Sequence, residues 1–282
     1  MKQFLVNSVG RLDMIIWILV VVFFCGSALI FNGNLNQSFI AAGGIVLVMI
    51  LIALSVEVII ETLKDVKGIG TITGFITNGP ELVCLIVGLV VGDVLFAAST
   101  PLGSNFINPI LLLMAALVCG VFLKTLQTNW RYSLTCILLT AGLAISFFFI
   151  PAQFYAYWSL TGLIATLVLF FNRPLEKAIE KSMEEEVIAK WNIIPASIVL
   201  IVAGYFLDPV VSFASEQSQA PKGVIGFFVL ATLTSWPEFK SCLALLNRKK
   251  YQAAILNITV SNITNIWLAI AGVATYFFIT AF

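Results

Sequence analysis

Nine apolar runs, each long enough to cross a lipid bilayer, limit this chain of 282 residues to one kind of architecture. A membrane-spanning helix needs about 17 to 25 predominantly apolar residues. Runs of that kind lie at 12–31, 39–60, 69–93, 101–123, 132–150, 152–172, 192–214, 223–246 and 253–281. Hydrophobic residues make up 60% of the chain and charged ones 10%, against roughly 45–50% and 25% in a soluble domain. The expected fold is all-α: a polytopic membrane helical bundle of about nine transmembrane helices, with no soluble domain.

Lys and Arg fall into a pattern once the runs are laid alternately across a membrane. Lys2, Arg11, Lys64, Lys67, Lys124, Arg131, Arg173, Lys177, Lys181, Lys190, Arg248, Lys249 and Lys250 gather on one side, and Lys222 alone on the other. The positive-inside rule makes the first side cytoplasmic. The expected protein is a multi-pass integral protein of the plasma (inner) membrane, with its amino terminus inside and its carboxy terminus outside. Although Lys2 and Arg11 precede the first run, that run continues to Phe31 and no small-x-small cleavage pattern closes it. It is expected to be an uncleaved helix rather than a signal peptide.

Five cysteines, Cys25, Cys84, Cys119, Cys136 and Cys242, are scattered within or at the ends of these runs and suggest neither a disulfide framework nor a metal cluster. A net charge of +1 gives no reason to expect nucleic acid as a partner. The hydrophilic stretch from Asn172 to Lys190 separates two halves. Within it Leu175, Ile179, Met183 and Val187 recur every fourth residue beside Glu176, Glu180 and Glu184. That is the pattern of an amphipathic helix lying at the membrane interface. Glu184, Glu185 and Glu186 read as its solvated face, because the stretch lacks the glycine-punctuated Asp/Asn loop of a calcium hand.

Polar residues recur across the two halves. Thr77-Asn78-Gly79-Pro80-Glu81-Leu82 is matched 157 residues later by Thr234-Ser235-Trp236-Pro237-Glu238-Phe239. Gly103-Ser104-Asn105-Phe106-Ile107-Asn108 recurs at the same offset as Val260-Ser261-Asn262-Ile263-Thr264-Asn265. Most apolar neighbours differ while Thr, Pro, Glu, Ser and Asn coincide, as expected of a duplicated polar site set among interchangeable hydrocarbon-facing side chains. An odd number of runs separates equivalent points, so the second copy is expected to cross the membrane upside down. That is an inverted-topology repeat, a hallmark of secondary transporters.

An ionisable residue inside a bilayer costs at least a few kcal/mol, which makes Glu81 and Glu238 functional candidates. Thr77 and Glu81 are four residues apart, as are Thr234 and Glu238, so each pair projects from one helix face. Ser104 with Asn108, and Ser261 with Asn265, repeat that spacing on the following helices. Pro80 and Pro237 lack an amide hydrogen, so the carbonyls of Ile76 and Leu233 lose their helical partners and the helices should kink or break there. Carboxylates, hydroxyls, amide oxygens and freed carbonyls make an oxygen-rich set suited to hard cations such as calcium or sodium. Two carboxylates balance one divalent or two monovalent cations, which permits exchange. Without an ion, the same prolines and small polar residues would serve only to kink and glue helices. Glu57 and Glu61 are expected to reach water at the cytoplasmic end of the second run, and Lys240 to snorkel inward as a structural residue.

These motifs resemble those of the calcium/cation antiporter superfamily, whose sodium/calcium exchangers carry two inverted alpha-repeats of the form T-S-x-P-E-L followed by G-N-x-x-G-S-N. Thr234 through Phe239 fits the first element closely, and Thr77 through Leu82 fits it with Asn78 in place of serine. Thr100 through Asn105 and Asn257 through Asn262 fit the second imperfectly. The resemblance implies that Glu81 and Glu238 are the central ligands of transported cations, that Thr77, Thr234, Ser104 and Ser261 add oxygens, and that Asn78, Ser235, Asn108 and Asn265 complete the cavity. It implies an extra amino-terminal helix over 1–38, a first half over 39–172 containing alpha-repeat 1 (69–124), a cytoplasmic linker over 173–191, and a second half over 192–282 containing alpha-repeat 2 (223–281). Such exchangers have ten helices, five per repeat, whereas the second repeat here is expected to hold three. Asn265 stands where many have Asp, and Thr100 where Asn is usual.

The implied function is secondary active antiport of Ca2+ for Na+ by alternating access, with those ions rather than any cofactor as the bound species and the lipid bilayer as the surrounding. Calcium/proton antiport is the nearest alternative; because the chain has no histidine, a coupled proton would ride on Glu81 or Glu238. A cation-binding or channel-like relative without coupled exchange is a further one. An intramembrane hydrolase is the weakest reading, as there is no Ser-His pair and no intramembrane aspartate dyad. Oligomeric state is not legible in the sequence.

Overall fold

The computed structural model describes residues 10–91, 94–176, 190–220 and 235–280, and among these the regular structure is helical throughout. The helices are α1 (Arg11–Ile30), α2 (Leu35–Thr62), α3 (Ile69–Ile76), α4 (Gly79–Val91), α5 (Val94–Val118), α6 (Phe122–Gln127), α7 (Trp130–Phe149), α8 (Tyr155–Phe171), α9 (Ile193–Ser218), α10 (Trp236–Asn247) and α11 (Tyr251–Thr280). Eight helical stretches among the described residues are long and apolar enough to cross a membrane, α3 and the start of α4 counting as one. The ninth expected run, 223–246, falls partly outside the described residues, and its described part forms α10. Most of the linker 173–191, including the Glu184–Glu186 acidic run, also lies outside them.

Two compact units divide the chain, and each draws on both halves of the sequence. The first comprises Met1–Thr62 and Val187–Pro237. In it α2 and α9 pack along one another and α1 lies against both. Ile45, Met49, Ile52, Leu200 and Leu207 are fully buried, while Ile15, Ile18, Leu19 and Val22 of α1 are exposed, as suits a face turned to lipid. Glu57 departs from expectation: it is buried on α2 rather than open to water.

The second unit comprises Leu63–Glu186 and Glu238–Phe282, with α11 at its centre. This helix packs against α3, α4, α5, α7 and α8. Lipid tails are as apolar as leucine, so helices in a membrane associate through close packing and polar contacts rather than through exclusion of water. Gly70 and Gly74 show how close that packing is. A Cβ on Gly70 would collide with the backbone of Ala253, and one on Gly74 would stand 2.7 Å from the Asn257 carbonyl oxygen. The backbones of α3 and α11 therefore touch where α3 runs toward Thr77.

Aromatic and aliphatic side chains close the rest of this unit. Phe147 stacks on Tyr155 and leans on Trp158, with ring centres 4.9 and 5.0 Å apart, over a cluster that includes Leu102, Ile266, Ala269 and Val273. Trp267 packs against Phe75 and Phe170, and its Nε1 donates to Thr166 Oγ1 at 2.8 Å. The chain leaving α8 returns to the start of α3. There Glu176 Oε1 accepts hydrogen bonds from the amides of Gly70 at 3.0 Å and Thr71 at 3.4 Å. Gly68 and Gly70 leave no side chain to cap that helix end, so a distant carboxylate supplies the acceptors. Lys240 is buried in α10.

Candidate functional site

Proline sets the local backbone of the site. Pro80 is the second residue of α4 and Pro237 the second of α10, a position where a helix needs no amide hydrogen. The expected break is present in the first copy: α3 ends at Ile76, Thr77 and Asn78 form a turn, and α4 begins at Gly79. In the second copy Leu233 and Thr234 lie outside the described residues. Both carboxylates fall in the first turn of their helices, α4 for Glu81 and α10 for Glu238. The positive end of the helix dipole favours a carboxylate at that place.

Within the second unit the structure brings most of the expected residues together. Glu81 is 2% exposed and Glu238 0%. Ser104 Oγ lies 3.3 Å from Glu81 Oε1, and Ser261 Oγ lies 3.3 Å from Glu238 Oε1, so the same contact recurs at the 157-residue offset, although the single Ser261 hydroxyl hydrogen is shared with the closer Asn78 Oδ1 at 2.8 Å. Thr77 lies within hydrogen-bonding reach of the Glu238 carboxyl, and the Glu81 and Glu238 carboxyls are close enough for a charge on one to disfavour a charge on the other. Asn108 and Asn265 are fully buried on α5 and α11. Ser235 is buried too, but it belongs to the first unit.

Two asparagines complete the network, although they were not among the expected ligands. Asn108 Nδ2 donates to Asn262 Oδ1 at 3.1 Å, and Asn265 Nδ2 donates to Asn105 Oδ1 at 3.1 Å. These bonds are again mates at the 157-residue offset. Asn105 and Asn262 recur at that offset in the sequence, which was the available signal. Thr140 of α7, which accepts from Asn262 Nδ2 at 3.4 Å, left no such trace.

What the network leaves unsatisfied matters most. Glu81 Oε2, Glu238 Oε2, Asn108 Oδ1 and Asn265 Oδ1 are all buried oxygens with no hydrogen-bond partner. A buried polar atom without a partner costs about 1–3 kcal/mol, and a charged one more. Four acceptor oxygens lacking donors are a set that a hard cation satisfies and a further helix contact does not.

Comparison with known families places a match on the second half: residues 191–279 match the family described as sodium/calcium exchanger protein. Glu238, Ser261 and Asn265 lie inside that segment, whereas Glu81, Ser104 and Asn108 lie outside it and are tied to it by the internal repeat. Comparison with curated proteins and with solved structures yields no match.

Proposed function

We propose, from the premise that this chain is a sodium/calcium exchanger-like membrane protein of the calcium/cation antiporter superfamily, that it exchanges Ca2+ for Na+ by alternating access. The exchanger-type segment and the apolar helices make it a multi-pass cation transport protein. Calcium and sodium as the exchanged pair are the finer reading.

One observation carries it. Two buried carboxylates, each with one oxygen 3.3 Å from a serine hydroxyl, keep their other oxygens unpartnered, and two buried amide oxygens of the same hydrogen-bond network, on Asn108 and Asn265, are unpartnered too. Two negative charges balance one Ca2+ or two Na+, so either load neutralises the site and the two compete. Glu81 and Glu238 are the central ligands in this reading, with Thr77, Ser104, Ser261, Asn108 and Asn265 as neutral oxygens and Asn78, Thr234 and Ser235 as members of the same duplicated motifs. The two copies run oppositely through the bilayer, with the amino terminus cytoplasmic.

The test is calcium-45 uptake into proteoliposomes holding the purified chain, with an outward sodium gradient compared with an outward proton gradient at matched voltage. Sodium-driven uptake lost in both Glu81→Gln and Glu238→Gln supports the reading. Proton-driven uptake would instead select calcium/proton antiport, and calcium flux that needs no trans cation would mean that exchange is not coupled.

A further inference from the structure

Asn108 keeps its NH2 group on protein acceptors and leaves its oxygen buried and unpartnered, and the reason lies in the proline that follows it in the chain. Pro109 sits inside α5. Having no amide hydrogen, it leaves the carbonyl of Asn105, four residues back, without a helical partner. Asn262 Nδ2 donates to that carbonyl at 3.3 Å and also approaches Thr140 Oγ1 at 3.4 Å.

A backbone carbonyl only accepts, so it fixes which end of the Asn262 amide faces it. Asn262 Oδ1 must then point the other way, and it accepts from Asn108 Nδ2 at 3.1 Å. Asn108 Nδ2 also donates to Ser261 Oγ at 3.1 Å. With its NH2 group held by these two acceptors, Asn108 has its Oδ1 left over, buried and unpartnered. The second copy lacks this device. Ile266 stands at the mate of Pro109 and carries its own amide hydrogen, so the Asn262 carbonyl stays within α11; correspondingly, Asn105 Nδ2 is a buried donor with no partner.

We propose that Asn262 is a positioning residue of the cation site: anchored on the Asn105 carbonyl that Pro109 frees, it holds the Asn108 amide with its oxygen turned toward the cation. The inference rests on the proposed function, since it assumes a cation at the site. Asn262 touches no cation itself and acts through Asn108.

Calorimetric titration of Ca2+, and separately of Na+, into the full chain in detergent micelles tests it. Loss of one orienting hydrogen bond corresponds to about a tenfold change in affinity. Asn262→Ala is expected to weaken cation binding about tenfold. Asn108→Ala and the double variant Asn262→Ala/Asn108→Ala are expected to bind alike within about twofold, because a residue acting through another adds nothing once that other is gone. Pro109→Ala gives a readout that a merely structural role would not produce: it restores a helical bond, so thermal stability should hold or rise while cation affinity falls.

Unchanged binding in Asn262→Ala, additive losses in the double variant, or unchanged affinity in Pro109→Ala would each overturn the proposal. If Asn262→Ala does not fold, the opposed stability and affinity changes of Pro109→Ala decide alone. Wild-type protein that binds neither ion would overturn the proposed function and this inference together, whereas binding by wild type and Asn262→Ala alike overturns this inference only.

Discussion

Asn78 is fastened to Ser261 twice: its Nδ2 donates to the Ser261 carbonyl at 2.9 Å, and its Oδ1 accepts from Ser261 Oγ at 2.8 Å. The pair joins the turn between α3 and α4 to the middle of α11, 183 residues away in the chain. Its counterpart in the other copy of the motif is Ser235, which is too short to make both bonds. The two copies of the motif are therefore chemically unequal at this position.

Replacing Asn78 with Ser gives both copies the same residue at this position and removes the pair of hydrogen bonds to Ser261. Hydrogen bonds between membrane helices are worth roughly 0.6–2 kcal/mol each, so Asn78→Ser is expected to destabilise the chain by about 1–3 kcal/mol. Thermal unfolding in detergent measures this. An unchanged midpoint would mean that the turn is held by its backbone alone.

Neutralising either carboxylate should abolish ion-driven flux, because one remaining charge no longer balances a divalent cation. Glu81→Gln and Glu238→Gln keep shape and the serine contacts, so the loss is expected without unfolding. Flux assays alongside a thermal melt separate the two effects. Normal flux in either variant would displace that residue from the site.

Gly70 and Gly74 admit no side chain. Gly70→Ala places a methyl group against the Ala253 backbone, which cannot rotate aside. Overpacking of this kind costs roughly 1–3 kcal/mol. Gly103, whose Cβ would meet nothing, is the control, and Gly103→Ala should leave the thermal midpoint close to wild type.

Glu176 should make docking of the linker start dependent on pH. Burial pushes its carboxyl above the usual range, while the amides of Thr71 and Gly70 and the Lys250 ammonium pull the other way without cancelling that effect. A docked carboxyl with a raised pKa holds its proton to higher pH than a released one. Docking is then strongest at low pH and weakens as pH rises through the docked value. Hydrogen exchange at the Gly70 and Thr71 amides, corrected for intrinsic rates, should show protection falling as pH rises through the raised pKa of the docked carboxyl. Glu176→Gln should flatten that dependence. Glu176→Ala should remove the cap at a cost of about 1 kcal/mol.

Much of the architecture was legible before any coordinates because it depends on composition and local backbone chemistry. Apolar runs of bilayer length can satisfy their amides only as helices, and the structure has them. Pro80 forbids one helical hydrogen bond, so the end of α3 at Ile76 followed from a single residue. The recurrence of Thr, Pro, Glu, Ser and Asn at one offset marked the residues that surround the carboxylates, Asn105 and Asn262 included, although their role was not legible. Glu57 was misjudged because its position near a helix end says nothing of what packs over it.

What the sequence by itself determined, then, was the class of fold, the break before Glu81 and the duplicated polar residues that make up the candidate site, since each follows from periodicity, length, internal repetition or the chemistry of one peptide unit. Tertiary structure alone decided that Asn78 binds Ser261, that Glu176 caps α3, that Asn262 reaches the Asn105 carbonyl that Pro109 frees, and which buried oxygens are left without a partner. Those outcomes depend on the approach of helices more than a hundred residues apart, and hydrogen-bond direction at an amide is settled by whichever neighbour can only accept or only donate.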